Sequence, residues 1–249
     1  MLNLTTNGSQ TVTLDALRTI PTPPALGSRH APIPHAALVD ALVEGITGRG
    51  WNVQGMDLVV AAHGGMIFGT MDLRDPPLGK PRVGGKDIAT GTLFGFRSST
   101  DQSLAIQGVA GKRVFVCSNM CFSGDLFVMH RKSTTRIDLP EVIDAGLEQF
   151  VAQSHTLDAN IDRLRDTPLT DTDAKARIFD LFNDQVLPSR LLTPLAAHYF
   201  HPTEEQTDVQ PRSLWGLNNA ATRSVQLLKS PAQQFESAQN IGQHFQLAA

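Results

Sequence analysis

The spacing of apolar residues changes near residue 138 of the 249-residue chain. Between residues 51 and 130, apolar and polar residues partly alternate in short runs separated by turn-forming residues, a pattern typical of β-strands. After Asp138, apolar residues recur every three or four positions, as on the buried face of a helix. An extended half followed by a helical half predicts an α+β fold, in which a helix and an antiparallel β-meander pack against a helical C-terminal half.

One helix precedes the strands. Apolar residues recur at helical spacing from Leu38 to Ile46, and Pro34 suits a first helical turn, so a helix is expected from about Pro34 to Arg49. Residues 1–33 are rich in Thr, Pro, Gly and Ser, which favours an irregular arm with a short strand or turn. We therefore predict an irregular N-terminal arm over 1–33 and a single α+β domain over 34–249, with the helix and meander in 34–138 and the helical part in 139–249.

The remaining elements are predicted from the same two periodicities. Strands are expected at about 51–61, 66–73, 92–98, 103–109, 113–117 and 125–130, with His63-Gly64-Gly65 as the turn of the first hairpin. A long loop over residues 74–91 separates the second strand from the third. Helices are expected at about 138–165, with Asp138 as its N-cap, and at about 171–186, 189–200, 213–229 and 231–246.

Composition and charge narrow the classes of function. Hydrophobic residues make up 41% and charged residues 18% of the chain, values that are ordinary for a globular protein. No apolar run is long enough to cross a bilayer, and residues 1–10 lack the segments of a secretory signal, so a cytoplasmic protein with reduced thiols is expected. Residues 1–138 carry 13 Lys/Arg and 10 Asp/Glu, whereas residues 139–249 carry 8 and 14, so only the first half is mildly basic.

Two cysteines stand close together in the stretch R-V-F-V-C-S-N-M-C-F-S-G-D, residues 113–125. Structural zinc needs four ligands, and only His63 and His130 are candidate partners for Cys117 and Cys121, so neither a metal site nor a cofactor is predicted. A nucleophilic Cys117 would need a nearby base, which one of these two histidines could supply.

A structural interpretation of these residues is favoured. Free cysteine is among the most buried residue types, so Cys117 is expected to close a strand as a small apolar residue. Ser118 and Asn119 would then form a turn with their side chains. His198 and His201, in H-Y-F-H-P, are also expected to be structural, because two ligands alone make a poor metal site.

Cationic residues cluster in and beside the predicted meander. Within the strand 92–98, Phe94 and Phe96 share one face of the strand, and Arg97 lies on the other. A sheet that exposes cations beside aromatic rings can hold a single-stranded nucleic acid, whereas in the alternative the rings are core and the charges an ordinary solvated surface. No catalytic residue is predicted; the candidate nucleic-acid-binding residues are Arg74, Lys80, Arg82, Lys86, Arg97, Lys112, Arg113, Arg131, Lys132 and Arg136.

Three stretches carry a resemblance to a known family: I-P-H-A-A-L-V-D-A-L with the later G-W-N-V, then V-F-V-C-S-N-M, then S-L-W-G-L-N-N-A-A-T-R at residues 213–223. In this order and spacing they resemble the phage- and plasmid-associated domain-of-unknown-function family numbered nine hundred and thirty-two, over roughly residues 20–230. The family often carries N-S-H-D-G-S at a hairpin turn, where this chain has S-S-T-D-Q-S, so no histidine-dependent activity is expected at that turn. Met120 also replaces the usual glycine after Asn119.

The order of elements is also similar, in outline, to that of phage single-strand annealing recombinases. This likeness implies a homo-oligomer that binds single-stranded DNA in recombination or replication, although function does not follow from fold alone. No membrane partner is expected, because the chain has no apolar run long enough to cross a bilayer. One alternative is a non-enzymatic accessory or anti-defence protein that binds a host protein. A further alternative is an enzyme of unknown class that uses Cys117, Cys121 or His63.

Overall fold

A computed structural model describes residues 9–74, 90–114, 119–122, 127–130, 138–203 and 212–246. Its strands are β1 (Gln10–Val12), β2 (Asn52–Ala61), β3 (Met66–Arg74), β4 (Thr90–Ser99), β5 (Ile106–Val114), β6 (Asn119–Phe122) and β7 (Phe127–His130). Its α-helices are α1 (Leu14–Thr19), α2 (His35–Gly48), α3 (Leu139–Arg165), α4 (Asp171–Asn183), α5 (Leu192–Phe200), α6 (Leu214–Val225) and α7 (Pro231–His244). The second half of the described chain is helical, so the predicted α+β class is confirmed.

The chain forms two compact units. Unit 1 comprises Met1–Leu78, Thr92–Ala110 and Leu126–Ala152, and unit 2 comprises Gly79–Gly91, Gly111–Asp125 and Gln153–Ala249. β5 and α3 each begin in unit 1 and end in unit 2. Each unit has its own cluster of buried apolar side chains.

The sheet has the strand order β1, β2, β3, β4, β5 in unit 1. β2 and β3 form an antiparallel hairpin, and its turn has φ values of 51°, 54° and 87° at Ala62, His63 and Gly64. The turn predicted at His63-Gly64-Gly65 is therefore confirmed. β7 pairs with the first residues of β5, where His130 lies opposite Ile106.

One face of this sheet carries the core of unit 1, together with apolar side chains of α2 and of the first half of α3. Phe94 and Phe96 are fully buried in that core. Phe150 of α3 meets the ring of Phe94 edge-on, with 5.2 Å between the ring centroids. The hypothesis that Phe94 and Phe96 stack against bases is therefore wrong, and the alternative that they are core is confirmed.

Part of the segment 1–33 is regular. β1 extends the sheet at the edge of β2, with Thr11 opposite Val59. Thr13 caps α1, because its hydroxyl accepts a hydrogen bond from the Ala16 N–H at 3.2 Å. Leu17 of α1 is buried, so this short helix belongs to the core of unit 1.

Unit 2 is built from the second half of α3 and from α4 to α7. Ser213 and Ser230 begin α6 and α7 as N-caps, each accepting a hydrogen bond from the backbone N–H three residues on. Within α6, every residue except Arg223 is buried. β6 lies against α6 and α7, which brings the end of the motif V-F-V-C-S-N-M beside the motif S-L-W-G-L-N-N-A-A-T-R.

Two details of the predicted meander are wrong. The strands expected at 103–109 and 113–117 are replaced by the continuous strand β5, because Gly111 and Lys112 do not turn but pair with Phe122 and Cys121 of β6. Asn119 does not form a turn, because it begins β6 opposite Val114. Residues 115–118 lie outside the described residues, so the packing of Cys117 stays a prediction.

The longest described helix, α3, has 27 residues. Asp138 caps it by accepting a hydrogen bond from the Glu141 N–H at 3.3 Å, as predicted. Charged residues lie at both ends of α3, among them Glu141, Arg163 and Arg165. In the part of the chain that the structure describes, no helix combines the length and the apolar composition needed to cross a membrane.

The packing of α2 against α3 gives a test of the fold. A Cβ at Gly45 would lie 2.6 Å from Cδ1 of Leu147, whereas a Cβ at Gly48 would meet no atom within 4 Å. We expect Gly45→Ala to lower the free energy of unfolding by about 1–2 kcal/mol, because the clash exceeds the gain in helix propensity. The matched variant Gly48→Ala should be neutral or stabilising by up to about 1 kcal/mol. Urea denaturation of both variants measures this, and equal effects would contradict the packing.

Candidate functional site

The ten cationic residues predicted from the sequence are only partly described. Lys80, Arg82, Lys86, Arg131, Lys132 and Arg136 lie outside the described residues. For Arg74, Lys112 and Arg113, the structure places the backbone in β3 and β5 but does not describe the side chain. The nucleic-acid contacts expected of these nine residues therefore stay a prediction.

Arg97 is the one residue of that set whose side chain is described. It lies on β4, opposite Phe68 of β3, and it is half-buried. Its Nε donates a hydrogen bond to Oε1 of Gln107 on β5 at 2.6 Å. Arg97 therefore joins β4 to β5 within the sheet, a structural role that does not depend on a ligand.

Two buried histidines of unit 1 were not singled out in the sequence, and they meet the turns at one end of the sheet. The Leu26 N–H donates to Nδ1 of His30 at 2.8 Å, which leaves Nε2–H of that ring to donate to the Thr100 carbonyl at 2.8 Å. Nε2 of His35 donates to the Gly64 carbonyl at 2.9 Å. We call His30 and His35, with these bonds, the histidine junction. It connects the segment before α2 and the start of that helix to the turns at Gly64 and Thr100.

Asp101 of the neighbouring turn lies close to the histidine junction. Burial alone would raise the pKa of Asp101, but hydrogen bonds from the side chain and backbone of Ser103 lower this pKa below its ordinary value. A catalytic serine would have its hydroxyl on a histidine ring, whereas the Ser103 hydroxyl donates to Asp101. Both nitrogens of His30 are also bonded to backbone groups. The hydrogen bonds of the histidine junction therefore connect chain segments, and they do not pair a nucleophile with a base.

A second cluster lies in unit 2, where the segment before α6 meets the start of α4. The Leu169 N–H donates to the Arg212 carbonyl, and the Leu214 N–H donates to the Thr167 carbonyl, both at 2.9 Å. These two bonds flank Arg212 and hold it beside α4. The guanidinium of Arg212 comes within 3.7 Å of the carboxylate of Asp171, the first residue of that helix.

Arg212 also lies over two aromatic rings of α5. Its guanidinium carbon is 5.1 Å from the centroid of the Tyr199 ring and 5.2 Å from that of Phe200. The guanidinium donates to the carbonyl oxygens of the same two residues, at 3.1 Å and 3.4 Å. Tyr199 is buried and meets Phe200 edge-on, and Phe200 packs partly against the core of unit 2. The rings and the guanidinium are thus held in fixed positions.

The polar face of α4 continues this cluster. Nζ of Lys175 is 5.9 Å from the centroid of the Phe200 ring. Phe179 lies four residues further on, and therefore on the same face of α4, with its side chain 65% exposed. The apolar residues that bury α4 are Ala174, Ile178 and Leu181, so Phe179 faces away from the core. We call Asp171, Lys175, Phe179, Phe200 and Arg212 the α4–α5 surface.

The α4–α5 surface was missed in the sequence because its residues come from three separate segments. A signal was present in α4: Phe179 falls outside the apolar period formed by Ala174, Ile178 and Leu181. The stretch H-Y-F-H-P was noticed only for its histidines, whereas its aromatic residues line the cluster. His201, expected to be structural, lines a surface pocket of about 500 Å³ beside Phe200 and Arg212.

The residues of the enzyme alternative are only partly described. His63 is exposed in the first hairpin turn, and Cys121 lies on β6 opposite Lys112. Cys117 lies outside the described residues. Within the described ranges, no three His, Cys, Asp or Glu side chains are grouped so that they could hold a metal ion.

The histidine junction predicts that unit 1 loses stability in acid. Burial lowers the pKa of His35 below 6.5, and this outweighs the opposing effects of the bond to Gly64 and of the charge of Asp101. The unfolded chain, with an ordinary histidine pKa, takes up the proton first, so stability is lost as the pH falls through about 6.5 towards the folded-state pKa. His35→Gln keeps an N–H donor but does not titrate, so we expect it to lose less stability between about pH 7.5 and pH 5.

The urea midpoint checks this prediction, followed by the fluorescence of Trp51 in a Trp215→Phe background. His63→Gln is the matched control, because His63 is exposed, and this variant should keep the pH dependence of the parent protein. An unchanged pH dependence in His35→Gln would contradict a buried, unprotonated His35.

Comparisons with known proteins assign the chain to no family. No protein-family model, no curated protein and no solved structure matches the chain. The resemblance to the family numbered nine hundred and thirty-two, and the weaker one to annealing recombinases, therefore stay predictions from the sequence.

Proposed function

We propose that the protein binds single-stranded nucleic acid, and that the α4–α5 surface contributes to the binding. The observation that carries the proposal is the guanidinium of Arg212 held over the rings of Tyr199 and Phe200, with Lys175 over the second ring and the exposed ring of Phe179 on the same face. Proteins that bind single strands combine stacking surfaces for bases with cations for phosphates. This surface has both within one unit.

Each part of the surface has a role in this proposal. Phe179 offers a free ring face on which an unpaired base can stack, because 65% of its side chain is exposed. Arg212 offers the outer face of its guanidinium, and its side chain is 47% exposed. Lys175 supplies a flexible ammonium for a phosphate group. Bases inside a duplex are stacked on each other, so these contacts favour single strands.

The electrostatic part of this binding is small. Lys175 and Arg212 are the two cations of the surface, and Asp171 partly offsets them. Residues 139–249 also carry an excess of acidic residues, which repels a polyanion at long range. Stacking must therefore supply much of the affinity. The nine sequence-predicted cations other than Arg97 would add phosphate contacts of their own.

Salt dependence distinguishes binding by this surface alone from binding that also uses the sequence-predicted cations. For single strands, the logarithm of the binding constant falls with the logarithm of salt concentration by about 0.7 per phosphate contact, so two contacts predict a slope of about −1.4. A labelled oligothymidylate titrated at several salt concentrations measures the slope. A much steeper slope that becomes shallower in an Arg131→Ala/Lys132→Ala variant would assign binding mainly to the sequence-predicted residues. The absence of binding at low salt would refute the proposal.

Substitutions on the surface test the stacking contribution. We expect Phe179→Ala to weaken oligothymidylate binding by about 1–2 kcal/mol, because one base loses its aromatic partner. Lys175→Ala should weaken binding and make the salt slope shallower by about 0.7. The matched controls are Leu227→Ala, an apolar side chain that is 58% exposed, and Arg190→Ala, a cation of unit 2 outside the surface. Equal effects of Phe179→Ala and Leu227→Ala would exclude the α4–α5 surface as the binding site.

A second candidate function is binding of a host protein through the same face. Its support is the exposed apolar side chain of Phe179 on α4, which is 65% exposed and shares that helix with acidic residues; Leu192, the first residue of α5, is 44% exposed. In that case Phe179→Ala would abolish capture of one stoichiometric partner while oligothymidylate binding would be absent in the parent protein. We also propose that the protein acts as a homo-oligomer, which its particle size in solution tests with and without an oligonucleotide.

A further inference from the structure

A pocket lies beside Phe200 on the α4–α5 surface. It has a volume of about 500 Å³, within the usual range for small-molecule sites. Its lining residues come from α4, from α5 and from the segment just before α6. They are Asp171, Lys175, Thr193, Ala196, Ala197, Phe200, His201 and Arg212.

The wall of the pocket offers a flat surface at one place. The guanidinium carbon of Arg212 lies 5.2 Å from the centroid of the Phe200 ring, so a planar cation and an aromatic ring adjoin in this wall. Backbone carbonyls of Tyr199 and Phe200 accept hydrogen bonds from the guanidinium and hold it beside the ring. Ala196 and Ala197 have small side chains, so α5 leaves room beside the ring. A flat aromatic ligand can therefore stack here without rearranging the protein.

The rim of the pocket offers charges and hydrogen-bonding groups. The ammonium nitrogen of Lys175 lies 5.9 Å from the centroid of the Phe200 ring, and it can bind an anionic group. The carboxylate of Asp171 accepts hydrogen bonds, and the hydroxyl of Thr193 can donate or accept one. His201 at the end of α5 adds a further hydrogen-bonding group. The pocket thus combines a stacking plane, a cation and acceptors for N–H or O–H groups.

We infer that this pocket binds one nucleotide unit, with the base against the Phe200 ring and the Arg212 guanidinium, and the phosphate on Lys175. A nucleotide combines a flat ring, an anion and donors on the base or sugar, whereas inorganic phosphate lacks the ring and a nucleoside lacks the anion. The inference rests on the proposed function, because it names which part of a strand enters the pocket. It adds that the pocket holds a free mononucleotide, which a flat stacking surface alone would not do.

Calorimetric titration with AMP, adenosine and inorganic phosphate tests this inference on the full chain. We expect AMP to bind at least about tenfold more tightly than either fragment, because only AMP reaches the stacking plane and the ammonium together. Phe200→Leu keeps an apolar side chain against the core but removes the ring, and it should weaken AMP binding by about tenfold. Lys175→Met lies at an exposed position that should not affect folding, and it should abolish the advantage of AMP over adenosine.

Leu227→Ala is the control for these titrations, and it should bind AMP like the parent protein. AMP that binds no better than inorganic phosphate, or equally well to the parent protein and to both pocket variants, would overturn the inference. Oligothymidylate titrations in parallel separate the two proposals. If the strand binds and AMP does not, the nucleotide pocket fails while the proposed function stands; if AMP binds and the strand does not, the proposed function fails and the pocket stands.

Discussion

The arrangement of unit 2 depends on two backbone hydrogen bonds that join the segment before α4 to the segment before α6. They connect Leu169 to Arg212 and Leu214 to Thr167, and they form a short antiparallel bridge at Pro168 and Ser213. Backbone bonds of this kind fix position independently of side-chain identity. As a consequence, α6 begins at a point from which its side chains pack in the core of unit 2. The same bonds place Arg212 beside the rings of α5.

In unit 1, distant segments are connected by hydrogen bonds from histidine side chains. Its hairpin turns contain residues in the left-handed region of φ, and their carbonyls face the histidines of the chain before α2. Burial lowers the pKa of His35 and favours its unprotonated form, because the charged ring is poorly solvated there. As a result, unit 1 should lose stability in acid. The same histidines connect two turns of the sheet to the start of α2.

Much of the fold was predictable because it follows from local periodicity. α2, α3 and the C-terminal helices have apolar residues at helical spacing, and their caps at Asp138, Ser213 and Ser230 are local signals. The strand boundaries around Gly111 and Asn119 were not predictable, because glycine and asparagine also favour turns. Their extended conformation comes from pairing between β5 and β6, which no local pattern encodes.

The candidate site was harder to predict than the fold. Charge density along the chain led to the stretch around Arg131, yet density in sequence says nothing about which cations meet aromatic rings. Arg212 and Phe200 are twelve positions apart, and they meet because the backbone bridge between Pro168 and Ser213 positions the residue before α6. Lys175 reaches the same ring from α4. Similarly, alternation placed Phe94 and Phe96 on one face of a strand but could not say that this face packs in the core with α2 and α3.

Phe179 contributes little to the stability of the fold. A phenylalanine stabilises a fold by about 1.5–3 kcal/mol when it is fully buried, and an exposed ring contributes only a small part of this free energy. With 65% of its side chain in solvent, Phe179 gains little from its own helix, whereas Ala174, Ile178 and Leu181 hold α4 in place. Single exposed apolar residues are ordinary. An exposed ring one helical turn from a lysine that lies over a second ring is a more specific arrangement, and it suits a surface that stacks against a ligand better than one that stabilises the protein.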